Sequence, residues 1–162
     1  MRKNKVFVAC DSSNISKIKR ILKNTNSSKI KFGYKFGLEF INSKNGRLFI
    51  TKLKNKIIFL DLKLNDIPNT CVSAIKTIKD LKADYLTVHI NSGLENLKAC
   101  KKISGKTKLI GVTVLTSLNN KALKEIGFNK DVKKIVLHQA KLAAKAGLDG
   151  IVCSAKEVKI VK

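Results

Sequence analysis

The chain has 162 residues, 44% of them hydrophobic, and a formal net charge of +23. This is enough apolar sequence for one folded domain over residues 1–162, and no apolar run approaches the roughly 20 residues that would cross a bilayer, so a cytoplasmic location without membrane attachment is expected. The basic excess is nearly all lysine spread over every segment, with arginine at Arg2, Arg20 and Arg47, and base readout leans on arginine's bidentate fork, so no specific nucleic-acid partner is expected.

Val6-Phe7-Val8-Ala9-Cys10-Asp11 reads as a short strand closing on a carboxylate, and Ser12-Ser13-Asn14 offers N-cap chemistry for a helix carrying Ile15, Ile18, Ile21 and Leu22 on one face. A polar turn from Asn24 to Ser28 precedes a second strand, Lys29 to Tyr34, which contains Lys31. From Leu38 to Leu53 the helical pattern breaks at Ser43-Lys44-Asn45-Gly46, predicting a helix, a turn and a second short helix. Ile57 to Leu64 is a third strand, with Pro68 placed for the first turn of a helix running to about Ala83. Tyr85 to Ile90 is a fourth strand, followed by a helix lined by Leu94, Leu97 and Cys100. Lys108 to Leu115 is a fifth strand, ending at Thr116-Ser117. A helical pair follows, its second member spanning about Asp131 to Ala146 and stopping at Gly147, and Gly150 to Ser154 is the sixth strand.

Strands that alternate with helices and are never joined by a hairpin turn are parallel, connected by right-handed crossovers. Periodicity alone leaves a doubly wound sheet and a (β/α)₈ barrel equally open. Polar residues end several strands, as Asp11, Lys63, His89 and Thr116 do, which is how the active face of a barrel is built. No G-x-G-x-x-G follows any strand, so dinucleotide binding has no support. Cys10, Cys71, Cys100 and Cys153 are widely spaced within apolar segments and contain no C-x-x-C pair, so they read as small buried hydrophobes and no metal site is expected.

The chemistry concentrates at the end of the third strand. Asp61 and Lys63 are two residues apart, which in a regular strand puts carboxylate and ammonium on one face, and Asp66 follows just beyond. A solvated ion pair at a strand-to-helix turn is the plain explanation of a bare D-x-K-x-x-D. The longer string Asp61-Leu62-Lys63-Leu64-Asn65-Asp66-Ile67-Pro68-Asn69-Thr70, however, closely resembles the signature of orotidine 5'-phosphate decarboxylases. Asp11 at the end of the first strand, Lys31 in Ile30-Lys31-Phe32-Gly33, Val88-His89, Val112 to Ser117 and Leu148 to Ser154 resemble further family segments in the same order. Related barrel enzymes, the hexulose-phosphate synthases and keto-gulonate-phosphate decarboxylases, share D-x-K-x-x-D but usually continue with an alanine- or glycine-bearing turn in place of Ile67-Pro68-Asn69-Thr70.

The resemblance implies a TIM barrel, here about six β/α units of the eight, and cofactor-free decarboxylation of a nucleotide substrate. It implies Lys63 as proton donor to C6 of the pyrimidine, with Lys31 and Asp61 forming an alternating charge network around it. Asp11 would bind the ribose, Thr116 the nucleotide, and Ile67, Pro68 and Asn69 would belong to the substrate-binding turn. Asp66 and Thr70 would complete the site of a neighbouring subunit in a homodimer. The family's last two strands, with the segments that grip the substrate phosphate, have no counterpart, so the expectation is an incomplete barrel that is weakly active or inactive by itself. A degenerate barrel that binds anionic partners through its lysines is the non-catalytic alternative.

Overall fold

Short apolar runs of β-branched and aromatic residues form the strands, and in the computed structural model, which describes residues 6–25 and 30–162, six of them join in one sheet. The strands are β1 (Val6–Ala9), β2 (Phe32–Gly37), β3 (Ile57–Leu64), β4 (Tyr85–His89), β5 (Lys108–Val112) and β6 (Gly150–Val152), parallel and in sequential order. That order separates the two architectures left open above. A doubly wound sheet reverses its strand order at a switch point, whereas a barrel adds each new strand beside the last.

Between the strands run α1 (Ile15–Asn24), α2 (Leu38–Ile41), α3 (Gly46–Thr51), α4 (Pro68–Thr77), α5 (Leu94–Ile103), α6 (Asn120–Glu125) and α7 (Val132–Lys145), and α8 (Val158–Val161) follows β6. Asn14 caps α1 by accepting from the Lys17 N–H at 3.1 Å, and Asp131 caps α7 by accepting from the Lys134 N–H at 2.8 Å. Gly147, at φ +74°, ends α7 in the left-handed conformation that glycine adopts without steric cost. Several elements differ from expectation: β5 ends at Val112, three residues short of Leu115, and β6 at Val152, two short of Ser154. The second strand starts three residues later and runs on to Gly37, and the polar turn and Lys29 with which it was to begin lie partly or wholly outside the described residues. The helix after Pro68 stops at Thr77, and a 3₁₀ turn over Lys79–Leu81 follows.

The described residues fall into two compact units. In the first, whose described residues are 6–25, 30–62 and 77–86, Phe7 meets Phe59 and Tyr85 edge-on, with ring centroids 5.1 Å apart in each pair. The register Phe7↔Gly33↔Ile57 leaves Gly33 as the gap into which the Phe7 ring fits, since a Cβ there would lie 2.5 Å from Phe7. In the second, residues 63–76 and 87–162, α5 buries Leu97 and Cys100, and α7 buries Val136 and Ala143. Among the described residues no helix is long and apolar enough to cross a membrane.

Candidate active site

In the first unit, side chains two apart along a strand share a face, and the register Ala9↔Lys35↔Phe59 with Gly37↔Asp61 puts Lys35 and Asp61 on the face that carries the Phe7–Phe59–Tyr85 cluster. The Lys35 ammonium stands 3.2 Å from Asp61 Oδ2 and 3.4 Å from Asp11 Oδ1, so one cation bridges two carboxylates above an apolar floor. Asp61 is 14% exposed and Lys35 25%, against 55% for Asp11. The inner pair is therefore shielded from solvent, and its attraction is screened less than that of a surface ion pair. Gly37 sits beside it, where a Cβ would come 3.2 Å from Asp11 Oδ1. Cys10 next to Asp11 is fully buried, and burial first, then the Asp11 charge, pushes its thiol up to about 11, so it is no nucleophile at neutral pH.

This geometry corrects one expectation. Lys31 is exposed, precedes β2, and lies with Asn55, Lys56 and Ile57 at the opposite end of β3 from Asp61. The lysine that meets the carboxylates is Lys35, four residues or ~13 Å of strand further on. Sequence inspection missed it because Lys-Phe-Gly occurs twice, at Lys31-Phe32-Gly33 and Lys35-Phe36-Gly37, and both lysines fall on the same alternation. The signal that separates them is the strand's end: Gly37 opens directly into α2, and the functional end of a parallel strand is the one that precedes its helix.

In the second unit, Lys63 has φ +50°, a left-handed conformation unusual for a non-glycine residue and worth ~1–3 kcal/mol of strain. The regular pleat that would align its side chain with that of Asp61 is broken there. Its N–H donates to the Thr87 hydroxyl at 2.8 Å, and Thr87 is fully buried on β4, so the neighbouring strand holds the unusual backbone in place. His89 lies two residues on, on the same face of β4 as Thr87. Burial first and the Lys63 charge second hold its imidazole below the ordinary histidine range, so it is neutral at pH 7. Neither Thr87 nor His89 stood among the predicted site residues.

Past β3 the turn points outward. Asp66, Ile67, Asn69 and Thr70 are exposed, Ile67 at 66%, and Pro68 opens α4 with Asp66 Oδ1 accepting from the Ile67 N–H at 2.7 Å. Thr116 is exposed in the segment after β5. Among the described residues no three His, Cys, Asp or Glu side chains gather as metal ligands.

Residues 4–162 match the family described as orotidine 5'-phosphate decarboxylase / HUMPS. The orotidine 5'-phosphate decarboxylase of Wolbachia sp. subsp. Brugia malayi is 48% identical over 131 residues, which cover 78% of this chain and 58% of that protein. The enzyme of the same name from Streptococcus pneumoniae serotype 19F is 36% identical over 166 residues, covering 100% of this chain and 70% of that one. The crystal structure of orotidine 5'-phosphate decarboxylase from Lactobacillus acidophilus superposes with a TM-score of 0.88 at 34% identity, over 97% of this chain and 74% of that chain. The chain thus spans 58% of the length of the Wolbachia relative.

Proposed function

Because the chain belongs to the orotidine 5'-phosphate decarboxylase / HUMPS family, we propose that it carries the decarboxylation machinery that converts orotidine 5'-phosphate to UMP in cytoplasmic pyrimidine synthesis. The observation that carries this reading is the Asp11–Lys35–Asp61 cluster on a partly buried strand end, with Lys63 two residues beyond Asp61. Loss of CO₂ from C6 of the pyrimidine leaves a carbanion that the ring delocalises poorly. Its stabilisation falls to fixed charges in a site shielded from water.

Lys63 is the group we assign to that charge, first as the ammonium facing C6 and then as the acid that protonates it. The exchange balances: the C6–carboxylate bond breaks and releases CO₂, its electron pair stays on C6, and the Lys63 proton makes the new C6–H bond. Lys35 holds the Asp61 carboxylate against rotation at 3.2 Å. Asp11, the more exposed partner of Lys35, is suited to accept hydrogen bonds from the ribose hydroxyls. Ile67, Pro68 and Asn69 on the exposed turn after β3 are assigned to substrate binding, and Thr116 to the nucleotide from the segment after β5.

Asp66 and Thr70 face solvent beside the exposed Ile67, an arrangement that suits side chains serving a second copy of the chain. A homodimer exchanging these residues follows from this reading.

The test is turnover of orotidine 5'-phosphate, followed as loss of the orotate absorbance. Lys63→Ala and Lys35→Ala should each reduce kcat by at least a hundredfold, and Lys31→Ala by less than twofold. A wild-type chain that is folded and inert with orotidine 5'-phosphate would overturn the proposal. Turnover of a hexulose phosphate in its place would move the chain to the other branch of the family.

A further inference from the structure

Two buried polar atoms among the described residues have no hydrogen-bond partner, His89 Nδ1 and Gln139 Oε1. Leaving such an atom unpaired forfeits its hydration with nothing in return. Both residues line one cavity of about 150 Å³, which also takes in Asn91, Val114, Leu123 and Phe128. Gln139 is 4% exposed, and its Nε2 is committed to Asn91 Oδ1 at 2.7 Å, so its carbonyl oxygen is the atom in need of a donor. The rest of the lining is apolar and carries no Asp, Glu, Lys or Arg. A nucleotide does not fit in such a space, whereas water, at about 30 Å³ per molecule in the liquid, does.

His89 also lies within the electrostatic reach of the Lys63 ammonium. Thr87 and His89 share a face of β4, and the Thr87 hydroxyl takes the Lys63 N–H at 2.8 Å, so the imidazole is placed beside the same lysine. A neutral imidazole next to an ammonium turns its lone pair toward the cation and carries its proton on the other nitrogen. That proton then needs an acceptor, and Gln139 Oε1 needs a donor. A water between them satisfies both, accepting from Nδ1–H and donating to Oε1.

We propose that the cavity behind β4 is a hydration site, that its water fixes His89 as the Nδ1–H tautomer, and that His89 in that form is a positioning residue for Lys63. The positioning role rests on the decarboxylase reading; the hydration site and the tautomer do not. The plain alternative, a histidine satisfied within the core, disagrees with the orphaned Nδ1.

The experiment is side-chain ¹⁵N NMR of the wild-type chain, in which histidine signals come from His89 and His138 alone, with His138→Asn to assign them. The expected result is a His89 Nδ1–H resonance that cross-relaxes with water, a titration midpoint below the ordinary value near 6.5, an upward shift of that midpoint in Lys63→Ala, and loss of the Nδ1–H signal in Gln139→Leu. An Nε2–H tautomer, or a midpoint indifferent to Lys63→Ala, would overturn the proposal. Turnover supplies the second arm: His89→Leu should lower kcat about tenfold with KM within twofold, and His89→Gln, which keeps an acceptor near the ε position, should recover part of it. The expected NMR signature in a chain inert toward orotidine 5'-phosphate would uphold the hydration site and sink the decarboxylase reading. Turnover unchanged in His89→Leu would uphold that reading and sink the positioning role.

Discussion

Lys63 joins two demands that ordinarily conflict, a charged side chain and a backbone conformation that favours glycine. What holds it is local: the Thr87 hydroxyl on the neighbouring strand accepts its N–H at 2.8 Å from a fully buried position. Thr87→Val keeps the shape and removes the acceptor, which leaves that N–H unsatisfied and should cost about 1–3 kcal/mol in urea unfolding. Thr87→Ser should retain most of the stability. If the left-handed turn also aims the ammonium, Thr87→Val lowers kcat more than it raises KM. A Thr87→Val variant as stable as wild type would show that the hydroxyl does not carry the strain. The motif around Lys63 was legible in the sequence, but its strain was not, because Asp61-Leu62-Lys63-Leu64 alternates like any regular strand. The lysine between the carboxylates was misread for a related reason: alternation fixes a face, and Lys31 and Lys35 have the same one.

The elements show the same division between local and distant causes. The ends of α1 and α7 were readable because Asn14, Asp131 and Gly147 act on their own helices. The end of α4 was not, because Arg47, 30 residues away, donates to the Thr77 carbonyl at 2.8 Å and to Asp80 Oδ1 at 2.6 Å, closing the helix where its own sequence would continue it. A device used twice fixes strand starts. Asp84 gives its N–H to the Ile58 carbonyl and takes the Ile58 N–H on its carboxylate, both at 2.9 Å, and Asp149 does the same to Leu109 at 2.9 and 2.8 Å. Asp149 also pairs with Lys101 at 2.6 Å. Burial alone would raise its carboxyl, but the Lys101 ammonium and the Leu109 N–H outweigh it and hold the group below the usual carboxylate value. A carboxyl depressed in the folded chain binds its proton more readily once unfolded. Its stabilisation is therefore complete above the unfolded value of about 3.9 and is lost as pH falls through the lower folded one. Urea midpoints between pH 6 and pH 2.5 should fall less steeply in Asp149→Ala, which at pH 6 should already be about 1–3 kcal/mol less stable. Equal slopes for the two proteins would show that Asp149 is not linked to folding.

At the scale of the whole molecule, the strands follow one another in sequential order, and the net charge of +23 bears on how a substrate arrives. A phosphate-bearing anion is drawn to so basic a surface, so kcat/KM should fall as ionic strength rises past the range where the Debye length drops below about 10 Å. Whether one chain suffices for turnover is a separate question, and the turn after β3 frames it. Lys63 belongs to the strand, while Asp66 stands exposed beyond it next to an apolar Ile67 that is itself 66% exposed. If Asp66 serves the site of a second copy, Lys63→Ala and Asp66→Ala each abolish turnover alone, since every site lacks one of the two groups. Mixed and allowed to exchange subunits, they form hybrids in which one site carries both lesions and the other carries neither. Random exchange makes half of all dimers hybrid, with one of two sites intact, so activity should return to about a quarter of wild type. Recovery near that level requires the two residues to act across subunits. No recovery from a mixture shown by mass to contain hybrids would place Asp66 in the site of its own chain.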